Sequence, residues 1–263
     1  MRPPRISRDT GCCPRDDDEW VEIAPQAGVT VALVESAGME TAARTGRLPQ
    51  YRGELSAAEI ADGMTAAAQN ATRLLDDATT LLAAGRCPTA ISIALLAIEE
   101  AGKIAVLRGM SLARTPTEWR ALWKAYRDHR SKHTAWSFRA LPFDVRIPGT
   151  DHHAAMFDSF KQLGVYTDCV GQRVWFRPTD LMDEELAREF IENTAKPLLE
   201  PVQRDFSARE VELWQEHLGP AWKKDEKTVG AAMVRWAAAL QAEGLQAALD
   251  VAGAVAFVPP EAK

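Results

Sequence analysis

The sequence predicts an all-α fold: a bundle of helices, with further helical chain at its C-terminal end. Three observations predict it. Apolar residues recur at steps of three or four from Ile60 to Leu82, the period of one helix face. The run Ile91–Ile98 is apolar on nearly every side, as in a helix enclosed by others. Strand-like patterning is confined to Val29–Val34 and to two short runs, Gly164–Asp168 and Arg173–Pro178.

The chain has 263 residues, enough to bury one full core with appendages. A formal net charge of -6 argues against a surface coated for non-specific nucleic-acid binding, so any basic site must be local. Cys12, Cys13, Cys87 and Cys169 show no C-x-x-C spacing, so neither a disulfide framework nor a zinc site is expected. Met1–Glu19 has no apolar signal-peptide core, and no run reaches the length of a membrane span. The expectation is a cytoplasmic protein without membrane contact.

Residues 1–54, with five prolines and the acidic cluster Asp16–Glu19, read as a flexible leader. A capping box, Ser56-Ala57-Ala58-Glu59, opens the first helix, whose stripe is Ile60, Met64, Ala67, Ala71, Leu74 or Leu75, Ala78, Leu81 and Leu82. Gly85 fits the residue past its end, and Pro88 the first turn of a second, central helix reaching about Met110. Pro116, with Thr115 or Thr117, starts a third helical stretch carrying Trp119, Leu122, Trp123 and Tyr126, then polar residues to about His133 and Trp136. His153–Leu163 reads as another, and the two short runs after it as a hairpin. Asp183–Phe206 is helical with Pro197 and Pro201 interrupting, an amphipathic segment precedes His217, and Lys227–Asp250 is a last helix with Val229, Met233, Trp236, Leu240 and Leu245 on one face.

Two places concentrate chemistry. Glu99, Glu100 and Lys103 interrupt the most apolar helix, and buried carboxylates need partners. Glu99 and Lys103 are spaced for an intrahelical pair, which leaves Glu100 as the acid to meet Arg127 or a histidine of the third helix. The second place is Arg120–Arg139, with Arg120, Lys124, Arg127, Arg130, Lys132 and Arg139 against the single acid Asp128, interleaved with Trp123, Tyr126, Trp136 and Phe138. That pattern suits phosphate attraction with base stacking, and equally a solvated helix face whose rings pack inward. Within it Arg127-x5-His133 sets an arginine near an imidazole. A histidine can take the proton of a ribose 2′-hydroxyl or give one to a leaving 5′-oxygen, while an arginine stabilises charge on the phosphate.

Asn70–Ala78, the Ala84-Gly85-Arg86 turn, the acidic helix Leu95–Lys103, Tyr126–His129 with Lys132-His133, and Lys161–Asp168 with Trp175–Pro178 together resemble the AbiV-type abortive-infection family of the HEPN superfamily. The resemblance covers roughly residues 60–205 and divides the chain into a leader (1–54), an AbiV-like helical domain (55–206) and a C-terminal helical extension packed on it (207–263). It implies an antiparallel HEPN-like bundle, a homodimer, and a metal-independent ribonuclease centre. Arg127 and His133 would be its catalytic pair, Asp128 its polar neighbour, and His129 a rival imidazole. Glu99, Glu100, Lys103, Lys132, Arg130 and Tyr166 would orient the site or bind substrate. It also implies RNA as the substrate and a phage-encoded activator. The alternative is a non-catalytic HEPN module that senses a phage protein or blocks translation by binding.

No cofactor or metal is expected. No histidine follows a glutamate by three positions, as di-iron bundles require, and no phosphate-binding glycine motif occurs. The second helix is too apolar to read a DNA groove.

Overall fold

Helix α1 (Ala57–Ala83) begins with the expected reciprocal cap: the Glu59 amide donates to the Ser56 hydroxyl at 3.3 Å and the Ser56 amide to the Glu59 carboxylate at 2.8 Å. It ends with Gly85 at φ +70°, where the Arg86 and Gly85 amides satisfy the Leu81 and Leu82 carbonyls at 2.8 and 2.9 Å. The short turn reverses the chain into α2 (Cys87–Met110), and these two helices form the most extensive pairing among the described residues. Of the alternatives at the middle of α1, Leu75 is buried and Leu74 only partly so. The computed structural model describes residues 50–129, 131–132, 150–170 and 173–245. Nearly all of the expected leader therefore lies outside the described residues, and the described residues from Arg52 onward form one compact unit.

Helix α2 is central, as its composition requires. Helices α1, α3 (Pro116–Arg127) and α4 (Thr150–Leu163) all pack on it, so it buries residues around its whole circumference. Thr115 is the cap of α3: its hydroxyl accepts the Glu118 amide at 3.2 Å, and Glu118 accepts the Thr115 amide at 3.1 Å. Trp119, Leu122 and Trp123 face the core, and the Trp123 indole donates to the Gly53 carbonyl at 2.9 Å.

Helix α4 starts at Thr150, three residues before the expected position. Residues 164–167 do not form a strand, because the Val165 and Tyr166 amides turn back to the Gln162 carbonyl. The hairpin is β1 (Asp168–Val170) against β2 (Val174–Phe176), antiparallel, with Cys169 opposite Trp175.

The segment expected as one helix to Phe206 is shorter and irregular. Helix α5 (Glu184–Phe190), capped by Asp183, widens into a π-turn over Ile191–Ala195, resumes as α6 (Lys196–Leu199) and tightens to a close at Val202. Pro197 and Pro201 each lack an amide hydrogen, and the uneven turns accommodate the missing bonds. Helix α7 (Ala208–Leu218) opens with another capping box, Ser207 and Glu210, and α8 (Glu226–Ala242) follows. Helix α8 stops well short of Asp250, because Gly244 at φ +67° closes it and the Leu245 amide satisfies the Leu240 carbonyl at 3.0 Å. Helix α7 packs on α1, and α7 and α8 enclose a second apolar cluster around Leu213, Trp214, Leu218, Met233, Trp236 and Leu240.

Candidate functional site

The site grows from one buried carboxylate. The chain that follows α3 crosses α2 at Gly102 so closely that a Cβ there would overlap the Lys132 carbonyl oxygen. Asp128 prepares this crossing: it ends α3, and its Oδ2 accepts the Ser131 amide and hydroxyl, each at 2.7 Å, capping the next helical turn. From the other side, α4 meets α2 at Gly164, where a Cβ would overlap Ser92 Oγ and lie 2.7 Å from the Pro88 carbonyl oxygen. Ser92 Oγ also donates to the Lys161 carbonyl at 3.2 Å. Two close approaches thus bring two distant segments to the same stretch of α2.

Glu99 stands where they converge. Its Oε1 accepts from Lys161 Nζ at 2.6 Å; its Oε2 lies 2.6 Å from His129 Nδ1 and 3.6 Å from Lys132 Nζ. The glutamate side chain is 3 % exposed and the His129 side chain 56 %, so a buried anion holds an imidazole that reaches solvent. With two ammonium groups on the same carboxylate, Glu99 is the ionised acceptor and Nδ1–H the donor. Nε2 is then the ring nitrogen that Glu99 does not engage.

The lysines respond differently. Burial opposes the Lys161 ammonium, but its hydrogen bonds and charge pairing with Glu99 and Asp158 outweigh burial and raise its pKa. For Lys132 burial is the largest effect, and with help from the nearby Lys103 charge it outweighs Glu99 and Glu100 and lowers the pKa.

The other expected site residues take separate places. Lys103 pairs with Glu100 at 2.6 Å rather than with Glu99, and its ammonium lies 5.3 Å from the Tyr126 ring centre. The expected assignment of the two acids is therefore reversed: Glu99 meets the histidine, because its side of α2 faces both the post-α3 crossing and α4. Arg127, half-buried at the end of α3, donates to the Trp123 carbonyl at 3.1 Å and stacks over the Trp123 ring at 5.0 Å. Burial, and then the Arg52 charge, lower its pKa. Tyr166 is exposed in the turn after α4. Arg130 and His133 lie outside the described residues, as do Trp136 and Arg139 of the basic stretch.

Lys161 enters the sequence reading only as the first residue of the Lys161–Asp168 segment and not as a site residue, yet it lies as close to Glu99 as His129 does, at 2.6 Å. Its only local signal is Asp158 three positions earlier, which it bridges at 3.1 Å. Gly102 and Gly164 were likewise unread, since a glycine inside or just past a helix gives no sign of which backbone crosses it.

No helix among the described residues is long and apolar enough to cross a membrane. No curated protein and no solved structure matches the chain. The family model described as AbiV, of the HEPN group, matches residues 59–199, which takes in α1 to α6 and therefore Glu99, Gly102, Arg127, His129, Lys132 and Lys161. That match spans more than half of the sequence, and the chain belongs to the AbiV family of abortive-infection proteins in the HEPN superfamily.

Proposed function

We propose that this chain is a metal-independent endoribonuclease of the abortive-infection response, a toxin that cleaves RNA by attack of a ribose 2′-hydroxyl on the adjacent phosphate. The observation that carries this reading is the His129–Glu99 contact. A buried carboxylate fixes the imidazole's orientation and tautomer while the ring stays accessible to a large substrate. In the reaction a base takes the 2′-hydroxyl proton, the 2′-oxygen bonds to phosphorus, and the bond to the 5′-oxygen breaks as that oxygen is protonated. The products are a 2′,3′-cyclic phosphate and a 5′-hydroxyl. His129 and His133 supply the base and the acid, and Arg127 stabilises charge on the phosphorane.

The test is incubation of purified protein with total bacterial RNA in EDTA, followed by end-group analysis. Cyclic-phosphate ends are expected from the parent, strongly reduced by His129→Ala or His133→Ala. Unchanged cleavage by the double variant would overturn the proposal.

One observation favours the binding-module alternative: Arg127 is engaged with Trp123, and Asp128 with a helical cap. In that reading RNA binds without being cut, and Arg127→Gln lowers a salt-sensitive affinity without changing any product.

A further inference from the structure

The β1–β2 hairpin and the turn before it leave two large aromatic rings open to solvent. In its register Trp175 faces across to Cys169, while Phe176 turns to the opposite side and is buried. Phe176 anchors the hairpin, and the small Cys169 leaves the indole uncovered. Trp175 is 74 % exposed and Tyr166 is 66 % exposed. Arg173 and Arg177, two residues to either side of Trp175, are both exposed. The nearby acids are turned to backbone: Asp168 Oδ1 accepts the Cys169 amide at 2.7 Å, and Asp180 Oδ2 accepts the Arg177 amide at 2.9 Å. The turn that carries Tyr166 follows directly on α4, the helix that supplies Lys161 to Glu99. The Tyr166 amide bonds the Gln162 carbonyl at 2.9 Å, one residue from Lys161, whose ammonium holds Glu99.

We propose that this hairpin is a stacking platform for single-stranded RNA. Trp175 and Tyr166 each take the face of a base, while Arg173 and Arg177 hold the phosphates on either side. The proposal deepens the ribonuclease reading and rests on it for RNA as the ligand. Exposed rings flanked by guanidinium groups are what sequence-tolerant recognition of single strands uses. A protein-docking surface is the competing outcome, since Val174 and Leu181 are exposed nearby.

The experiment measures binding of a labelled 2′-O-methyl oligouridylate of about twelve nucleotides, a length that one such groove can hold and that 2′-hydroxyl attack cannot cleave. Trp175→Ala in the full chain is expected to weaken binding roughly tenfold with an unchanged salt slope, and Trp175→Phe to restore most of it. Arg177→Gln is expected to reduce the slope of log K against log salt by about one. Parent-like binding by a folded Trp175→Ala, Tyr166→Ala double variant would overturn the platform, as would no binding by the parent. So would a Trp175→Ala effect confined to self-association.

Cleavage of natural RNA, assayed separately, distinguishes the two readings. Trp175-dependent binding without cleavage keeps the platform and removes the nuclease. Cleavage that ignores Trp175, with parent-like binding by the variant, does the reverse.

Discussion

At the scale of single residues, Glu99 carries more consequence than its neighbours, because it neutralises cations that have lost much of their water. Glu99→Gln removes the carboxylate that Lys161 and Lys132 share, leaving them only Asp158 and the more distant Glu100, and a loss of about 3–5 kcal/mol in urea unfolding is expected. Adding Lys161→Met should recover part of it, since a paired removal leaves fewer orphan charges. The two lysines also predict opposite alkaline behaviour. Lys161 is raised in the folded state, so its contribution is complete below the ordinary lysine value and is lost as pH climbs through the higher folded value. Lys132 is lowered, so between its folded value and the ordinary one the unfolded chain binds the proton more tightly, and stability rises with pH. Urea titrations above pH 8 of Lys161→Met and Lys132→Met, each against the parent, should show slope changes of opposite sign.

Gly102 gives a second residue-scale outcome. In an exposed helix, glycine to alanine stabilises by about 1 kcal/mol, but here the added Cβ meets the Lys132 backbone. Gly102→Ala is expected to destabilise and to detach His129 from Glu99. A histidine Nδ1–H proton resonance, present in the parent and lost in the variant, would report the detachment.

At the scale of elements, helix ends were the most legible part of the sequence. Caps are local: Ser56 with Glu59, Gly85, and Pro116 after Thr115 act within one turn and read correctly without any tertiary knowledge. The Ser207–Glu210 box of α7 and Gly244 beyond α8 are local signals of the same kind. The π-turn before Pro197 was not legible in detail, because a proline forbids a bond without dictating which neighbouring turn absorbs the loss.

The start of α3 offers a test with a worked sign. Glu118 is held down to about 2 by its hydrogen bonds to Lys223 and the Arg114 amide. A depressed carboxyl contributes stability above its ordinary value near 4.5 and loses it as pH falls toward 2. Glu118→Gln should therefore flatten the acid limb of stability over that window. Thr115→Ala should cost about 1 kcal/mol at neutral pH, as other caps do, in urea unfolding.

At the scale of the whole molecule, Arg108 joins the bundle to the C-terminal helices. It is buried near the end of α2, and its guanidinium lies 5.8 Å from the ring centres of Phe206, Trp214 and Trp236. Trp214 and Trp236 meet edge to face at 5.0 Å. Arg108→Ala removes both the cation–π contacts and the stem that fills space among the rings. A loss of about 1–2 kcal/mol is expected, with hydrogen exchange accelerated in α7 and α8 more than in α1.

The sequence by itself determined that the chain is helical, where α1, α2 and α3 begin, that α2 is enclosed, and that acids on so apolar a helix must find partners. Each of these follows from period, composition or a cap, all of which act over a few neighbouring residues. Only the tertiary structure decided which acid meets which cation, because residues 99, 129, 132 and 161 are joined by no local rule. Two backbone crossings, at Gly102 and Gly164, set how closely the helices approach. That approach places the ammonium groups and the imidazole on one buried carboxylate.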